Sequence, residues 1–153
     1  MNRRTLLKRT LAASAVSVAA GAGLLTPGAV LAAYPKAAFE AKDVATALSG
    51  AVGSASFAHS DDIKIKAPDI AENGAVVPVT VSSDIAGVES ITILAEGNNS
   101  PLIASFNLNG SEAYVSTRIK MGKTGNVLAV VKAGGALHAN KKEVKVTIGG
   151  CGG

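Results

Sequence analysis

The sequence predicts an all-β protein: an immunoglobulin-like antiparallel β-sandwich with an N-terminal helix and a flexible C-terminal GGCGG arm. Three observations predict it. From Ile63 onward the apolar residues recur with period two, glycine and asparagine clusters interrupt the runs, and the result is seven short strands. Seven such strands with a turn signal between each pair suit two packed antiparallel sheets.

Taken in order, the 153 residues divide into a leader over 1–32, a helix and loop over 33–62, the sandwich over 63–148 and an arm over 149–153. Asn2-Arg3-Arg4-Thr5-Leu6-Leu7-Lys8 resembles a twin-arginine export signal, with Asn2 and Leu6 departing from the usual residues. An Ala-rich, mildly apolar stretch follows, and Val30-Leu31-Ala32 supplies a small-residue cleavage pattern, so maturation is expected after Ala32 and the mature chain in the periplasm. Thr10 to Ala33 is uncharged, but Gly21, Gly23, Pro27 and low hydrophobicity argue against a retained membrane anchor. The leader holds Arg3, Arg4, Lys8 and Arg9 and no acid, so it removes four of the 15 basic residues and leaves a mature chain balanced against its 11 acids. Neither nucleic acid nor an anionic membrane is indicated as a partner. Five aromatic residues without a tryptophan offer no stacking platform for bases or sugars.

Pro35 to Ser49 reads as a helix, with Ala37, Ala41, Val44 and Leu48 on one stripe, Pro35 in the first turn and Gly50 as the stop. A packed helix over one end of the domain is the simpler account than a partner-docking one. Gly50 to Asp62 reads as a small-residue loop. Ile63 and Ile65 then alternate with Lys64 and Lys66, and Val77, Val79 and Val81 with Pro78, Thr80 and Ser82. Pro78 points to an edge strand or bulge, since it cannot donate to a ladder. Ile91, Ile93 and Ala95 form the third run, Leu102, Ala104, Phe106 and Leu108 the fourth, and Val115, Thr117, Ile119 and Met121 the fifth. Val127 to Lys132 is nearly continuous in apolar residues, Gly134-Gly135 marks the last hairpin, and Val144, Val146 and Ile148 close the set.

The tail, Gly149-Gly150-Cys151-Gly152-Gly153, holds the only cysteine. Four glycines disfavour order, and no bulky neighbour packs the thiol. The sequence gives Cys151 none of the devices that lower a thiol pKa: no adjacent Lys, Arg or His, and a preceding strand instead of a helix N-terminus. A presented thiol, a chance cysteine and an intermolecular disulfide all remain open on the residues alone.

No other chemistry emerges. His59 beside Asp61 and Asp62 fits a solvated loop better than a metal site, and His138 is separated from Cys151 by the final strand. There is no phosphate-binding loop, dinucleotide fingerprint or nucleophile elbow. No catalytic residue, metal or resident cofactor is therefore assigned. Arg118, Lys120 and Asn98-Asn99 read equally as contact residues or as solvated faces.

The ending Val144-Lys145-Val146-Thr147-Ile148-Gly149-Gly150-Cys151-Gly152-Gly153 closely resembles the SoxY family of sulfur carriers, and so do the stretches from Pro68 to Val81 and from Thr117 to Met121. The resemblance implies a carrier instead of an enzyme, with Cys151 as the covalent sulfur attachment point and Gly149, Gly150, Gly152 and Gly153 as its arm. It implies cargo held as cysteine S-thiosulfonate or persulfide. The implied partners are a SoxZ-like β-sandwich subunit, a haem c enzyme that couples thiosulfate to the thiol, a dimanganese hydrolase that releases sulfate and, in many systems, a sulfane dehydrogenase. Export in the folded state beside a signal-less partner would account for the twin-arginine leader. Two other classes stay open: a structural β-sandwich module cross-linked through its cysteine, and an independent thiol enzyme.

Overall fold

Among residues 35–149, which the computed structural model describes, the chain forms two helices followed by nine strands. The leader and its cleavage point lie outside the described residues. Helix α1 spans Lys36–Glu40 and helix α2 spans Val44–Val52. The one helix expected over Pro35–Ser49 is thus two. Ala41 is extended (φ −59°, ψ 144°), and Asp43 caps α2 by accepting the Thr46 N–H at 2.8 Å. That hydrogen bond holds the Asp43 carboxyl below its ordinary value.

The helix stop and stripe also differ from expectation. Gly53, at φ 83°, closes α2, and Gly50 lies inside it. Gly50 is needed there for close approach, because a Cβ would sit 2.8 Å from the Ala38 Cβ. Ala38, Ala41, Ala47 and Leu48 are the buried positions, and Ala37 is exposed.

The strands are β1 (Ala58–His59), β2 (Ile63–Lys66), β3 (Ile70–Ala71), β4 (Val77–Ser83), β5 (Val88–Ala95), β6 (Leu102–Asn107), β7 (Tyr114–Ile119), β8 (Gly125–Ala133) and β9 (Ala136–Val146). One sheet runs β1-β9-β8-β5-β6, with β3 also on β9; the other runs β2-β4-β7. Packed face to face they make the expected immunoglobulin-like sandwich. The period-two residues meet inside: Ile63, Val77, Val79 and Val81 from the smaller sheet, Ile91, Ile93, Val127, Val131 and Val144 from the larger. Two short strands, β1 and β3, were not expected; both run parallel to β9 and fill its outer edge.

The outer face of the larger sheet is covered as well. Leu94, Leu102, Leu128, Val130, Leu137 and Ala139 pack against the two helices. This second apolar layer explains why β8 reads as a nearly continuous run: like β5, it is buried on both faces. One polar pair lies within that outer face. Thr92 is fully buried and shares a 2.9 Å hydrogen bond with the hydroxyl of Ser105, its partner across the ladder.

Three local departures have physical causes. The β5–β6 register slips between Ile93 and Leu94, which sends Leu102 to the helical layer while Ile103 and Phe106 pack against the inner core. Pro78 sits in the central strand β4, yet β2 pairs only as far as Lys66↔Thr80, so Pro78 faces Arg118 of β7 alone. That is an edge environment inside a central strand. Gly134 and Gly135 form the final two-residue turn at φ 57° and 76°, as the sequence indicates.

Candidate functional site

The site is the root of the C-terminal arm. β9 ends at Val146, two residues before the expected end at Ile148, but backbone bonding continues beyond it. Thr147 N–H donates to the Ala71 carbonyl at 3.1 Å, and the Ile148 carbonyl accepts from the buried Gly74 N–H at 2.8 Å. Gly74 also accepts the Met121 N–H at 2.7 Å, and Met121 is itself fully buried. The 72–75 turn therefore joins the end of β7 to the exit of β9 through two backbone bonds on one glycine. These are the three stretches that carry the family resemblance, and the fold brings them to one place.

A second turn closes round the exit. Asn98 spends both ends of its amide on the 120–122 segment: Nδ2 donates to the Lys120 carbonyl at 2.7 Å, and Oδ1 accepts the Gly122 N–H at 2.8 Å. Gly97 and Gly125 let the 96–98 and 122–126 segments interlock. A Cβ on Gly125 would lie 2.9 Å from the Gly97 nitrogen, and one on Gly97 would lie 3.1 Å from the carbonyl oxygens of Lys123 and Thr124. The Thr124 hydroxyl accepts the Val146 N–H at 2.9 Å, fixing the last residue of β9 to this turn. Gly149 then rests on the turn itself, with space so short that a Cβ would lie 2.3 Å from the Gly122 carbonyl oxygen.

Of the expected arm residues, Gly149 is thus placed, exposed on one side and pressed on Gly122 on the other. Gly150, Cys151, Gly152 and Gly153 lie outside the described residues. Gly149 was expected to serve mobility, yet what its position demands is a missing side chain. Asn98, read as a contact or solvated residue, is a structural tie. Composition hid this, because an asparagine in a loop carries no mark of what its amide reaches. Ile148, 68% exposed, stands beside the exit, and Ile70 and Val76 on the neighbouring 70–76 segment are also exposed.

The remaining candidates disperse. His59 Nε2 lies 3.0 Å from Asp61 Oδ1, both side chains mostly in solvent. Among the described residues no group of three or more His, Asp or Glu side chains could hold a metal ion. His138 is half-buried within β9 itself, paired with Val131. Arg118 lines an open depression of about 440 Å³ with Pro78, Ser116 and Thr117. Among the described residues no helix is long and apolar enough to cross a membrane.

The family model described as sulfur oxidation protein SoxY matches residues 48–151. The structure of the sulfur carrier protein SoxY from Chlorobium limicola f thiosulfatophilum is similar at 45% identity and a TM-score of 0.62, covering 73% of this chain and 97% of its own. A superoxide reductase (neelaredoxin) from Ignicoccus hospitalis, at 19% identity and a TM-score of 0.52, covers 59% of this chain and 94% of its own, a likeness of fold alone. No curated protein matches.

Proposed function

The chain belongs to the SoxY family of sulfur-oxidation proteins, and from that membership we propose that it is a periplasmic sulfur carrier holding thiosulfate-derived intermediates on Cys151. One observation carries the reading. The body fastens the exit of its last strand with at least four backbone contacts, two residues short of its single cysteine. Such a construction secures the base of an arm while leaving the thiol itself for others to handle.

The chemistry asked of the thiol is simple. Coupling joins the cysteine sulfur to the sulfane sulfur of thiosulfate; the thiol proton is released and two electrons pass to an oxidant held by a partner enzyme. Hydrolysis then cleaves the sulfur–sulfone bond: water supplies the oxygen, sulfate and a proton leave, and a persulfide stays on the protein. Tethering keeps the intermediate with the carrier while successive enzymes act, so each later step avoids capture of a free substrate. A weakly activated thiol suits this role, because an activated exposed cysteine would oxidise between visits. Pairing with a second β-sandwich, of SoxZ type, would cover one of the sheet edges left open at β6, β2 and β7.

The test is intact-mass measurement of the mature chain isolated from cells growing on thiosulfate. The expected result is a series of adducts in steps of sulfur or thiosulfate that vanish on reduction and are missing from Cys151→Ser, which keeps its fold. A chain carrying no adduct in thiosulfate-oxidising cells, or a Cys151→Ser strain that consumes thiosulfate normally, would overturn the proposal. An obligatory disulfide-linked dimer on non-reducing gels would favour the cross-linked module instead.

A further inference from the structure

We propose that Asn98 is a positioning residue for the arm: through both ends of its amide it holds the 120–122 turn so that the Gly122 carbonyl forms a stop for Gly149. The arm then departs from the body at Gly149, in a direction set by that turn, and not from the end of β9. The purpose of the device rests on the carrier reading above; its geometry does not.

Three observations converge on it. Asn98 is half-buried and its two bonds, at 2.7 and 2.8 Å, bracket Met121, so the peptide units on either side of that residue are both fixed. Met121 is anchored from the opposite side by its own N–H to Gly74 and by full burial of its side chain. The turn that results is rigid by these bonds, and Gly149 approaches it more closely than any residue with a Cβ could. Glycine at 149 therefore answers to contact, a different demand from the conformational freedom expected of an arm.

The consequence for the thiol is one of reach. Measured from Gly149, the Cα of Cys151 can lie at most about 7 Å away; measured from Ile148, whose carbonyl stays held by the Gly74 N–H, the limit grows to about 10 Å. For a flexible segment the typical spread scales with the square root of length, so losing the stop widens the positions open to residue 151 by roughly 1.2-fold. A narrow spread raises the effective concentration of the sulfur at any mouth aligned with the turn.

The experiment places one nitroxide on Cys151 and a second on Ser111→Cys, an exposed loop position between β6 and β7, in the full mature chain, and reads the distance distribution by pulsed EPR. Asn98→Ala and Gly149→Ala are each expected to widen the distribution roughly 1.2-fold, whereas Gly152→Ala leaves it unchanged. Gly149→Ala changes only the exposed terminal segment and so keeps the fold, which preserves the test should Asn98→Ala fold poorly. Equal widths in the parent and both variants would overturn the proposal, as would an Asn98→Ala chain with a lower unfolding midpoint and an unwidened distribution. Neither enzyme nor thiosulfate enters the measurement. Failure here leaves the adduct experiment untouched, and absent adducts leave the widths untouched.

Discussion

Replacing Gly50 with alanine sets two effects of opposite sign against each other. In an ordinary exposed helix interior the change would stabilise by about 1 kcal/mol, the propensity difference between the two residues. Here the new Cβ would lie 2.8 Å from the Ala38 Cβ and 3.1 Å from its Cα. Carbon atoms in contact rest at about 3.5–4.0 Å, so the shortfall is roughly 1 Å. Both methyl groups are fixed directly to backbone, and no rotamer change can relieve them. α1 and α2 must part, which loosens their grip on Leu94, Leu128 and Val130 of the larger sheet. Overpacking of this kind costs about 1–3 kcal/mol, so the net expectation is a loss of about 1 kcal/mol. Urea unfolding of the mature chain measures it, together with a double-mutant cycle against Ala38→Gly. With the Ala38 methyl removed most of the penalty should go, giving a coupling of about 1–2 kcal/mol. A Gly50→Ala chain more stable than its parent, or a strictly additive cycle, would refute the reasoning.

Two further outcomes follow from particular contacts. Ser105→Ala leaves the buried Thr92 hydroxyl without its partner and should cost about 1–3 kcal/mol, while Thr92→Val strands only the exposed Ser105 hydroxyl and should cost less; equilibrium unfolding gives the order, and a reversed order contradicts it. The Asp43 carboxyl lies below its ordinary value of 3.8 in the folded chain, so the cap's contribution is complete above that value and is lost as pH falls through the lower folded one. Thermal unfolding from pH 7 down to pH 2 should therefore show a smaller acid-induced drop in Asp43→Asn than in the parent.

What could be read from the residues was whatever repeats or turns. Ile91-Ile93-Ala95 and Val115-Thr117-Ile119-Met121 announce their faces because period two is visible in a few residues, and Gly134-Gly135 announces its hairpin. β1 and β3 escape because two residues have no period; their partner is β9, far along the chain. The break between the helices was within reach, since Asp43 is a preferred N-cap residue, but the apolar stripe through Ala41 and Val44 masked it. The arm was legible as composition. Its fastening was not, because Gly149 meets Gly122 backbone to backbone, and such a contact leaves only an absent side chain in the sequence.

β9 also has a mechanical consequence. It pairs nine of its residues with β8 on one edge and is flanked on the other by β1 and β3, while Asn140 reaches across to the carbonyl of Ile63 in the opposite sheet and Lys142 to that of Ala67, just past the end of β2. Ladder hydrogen bonds lie across the strand, so tension applied along it strains them together and cannot open them one at a time. A catalyst gripping the tip of the tail would thus haul on a beam clamped along both sides. Such a load would fall on the ladder as shear, opposed by many bonds at once.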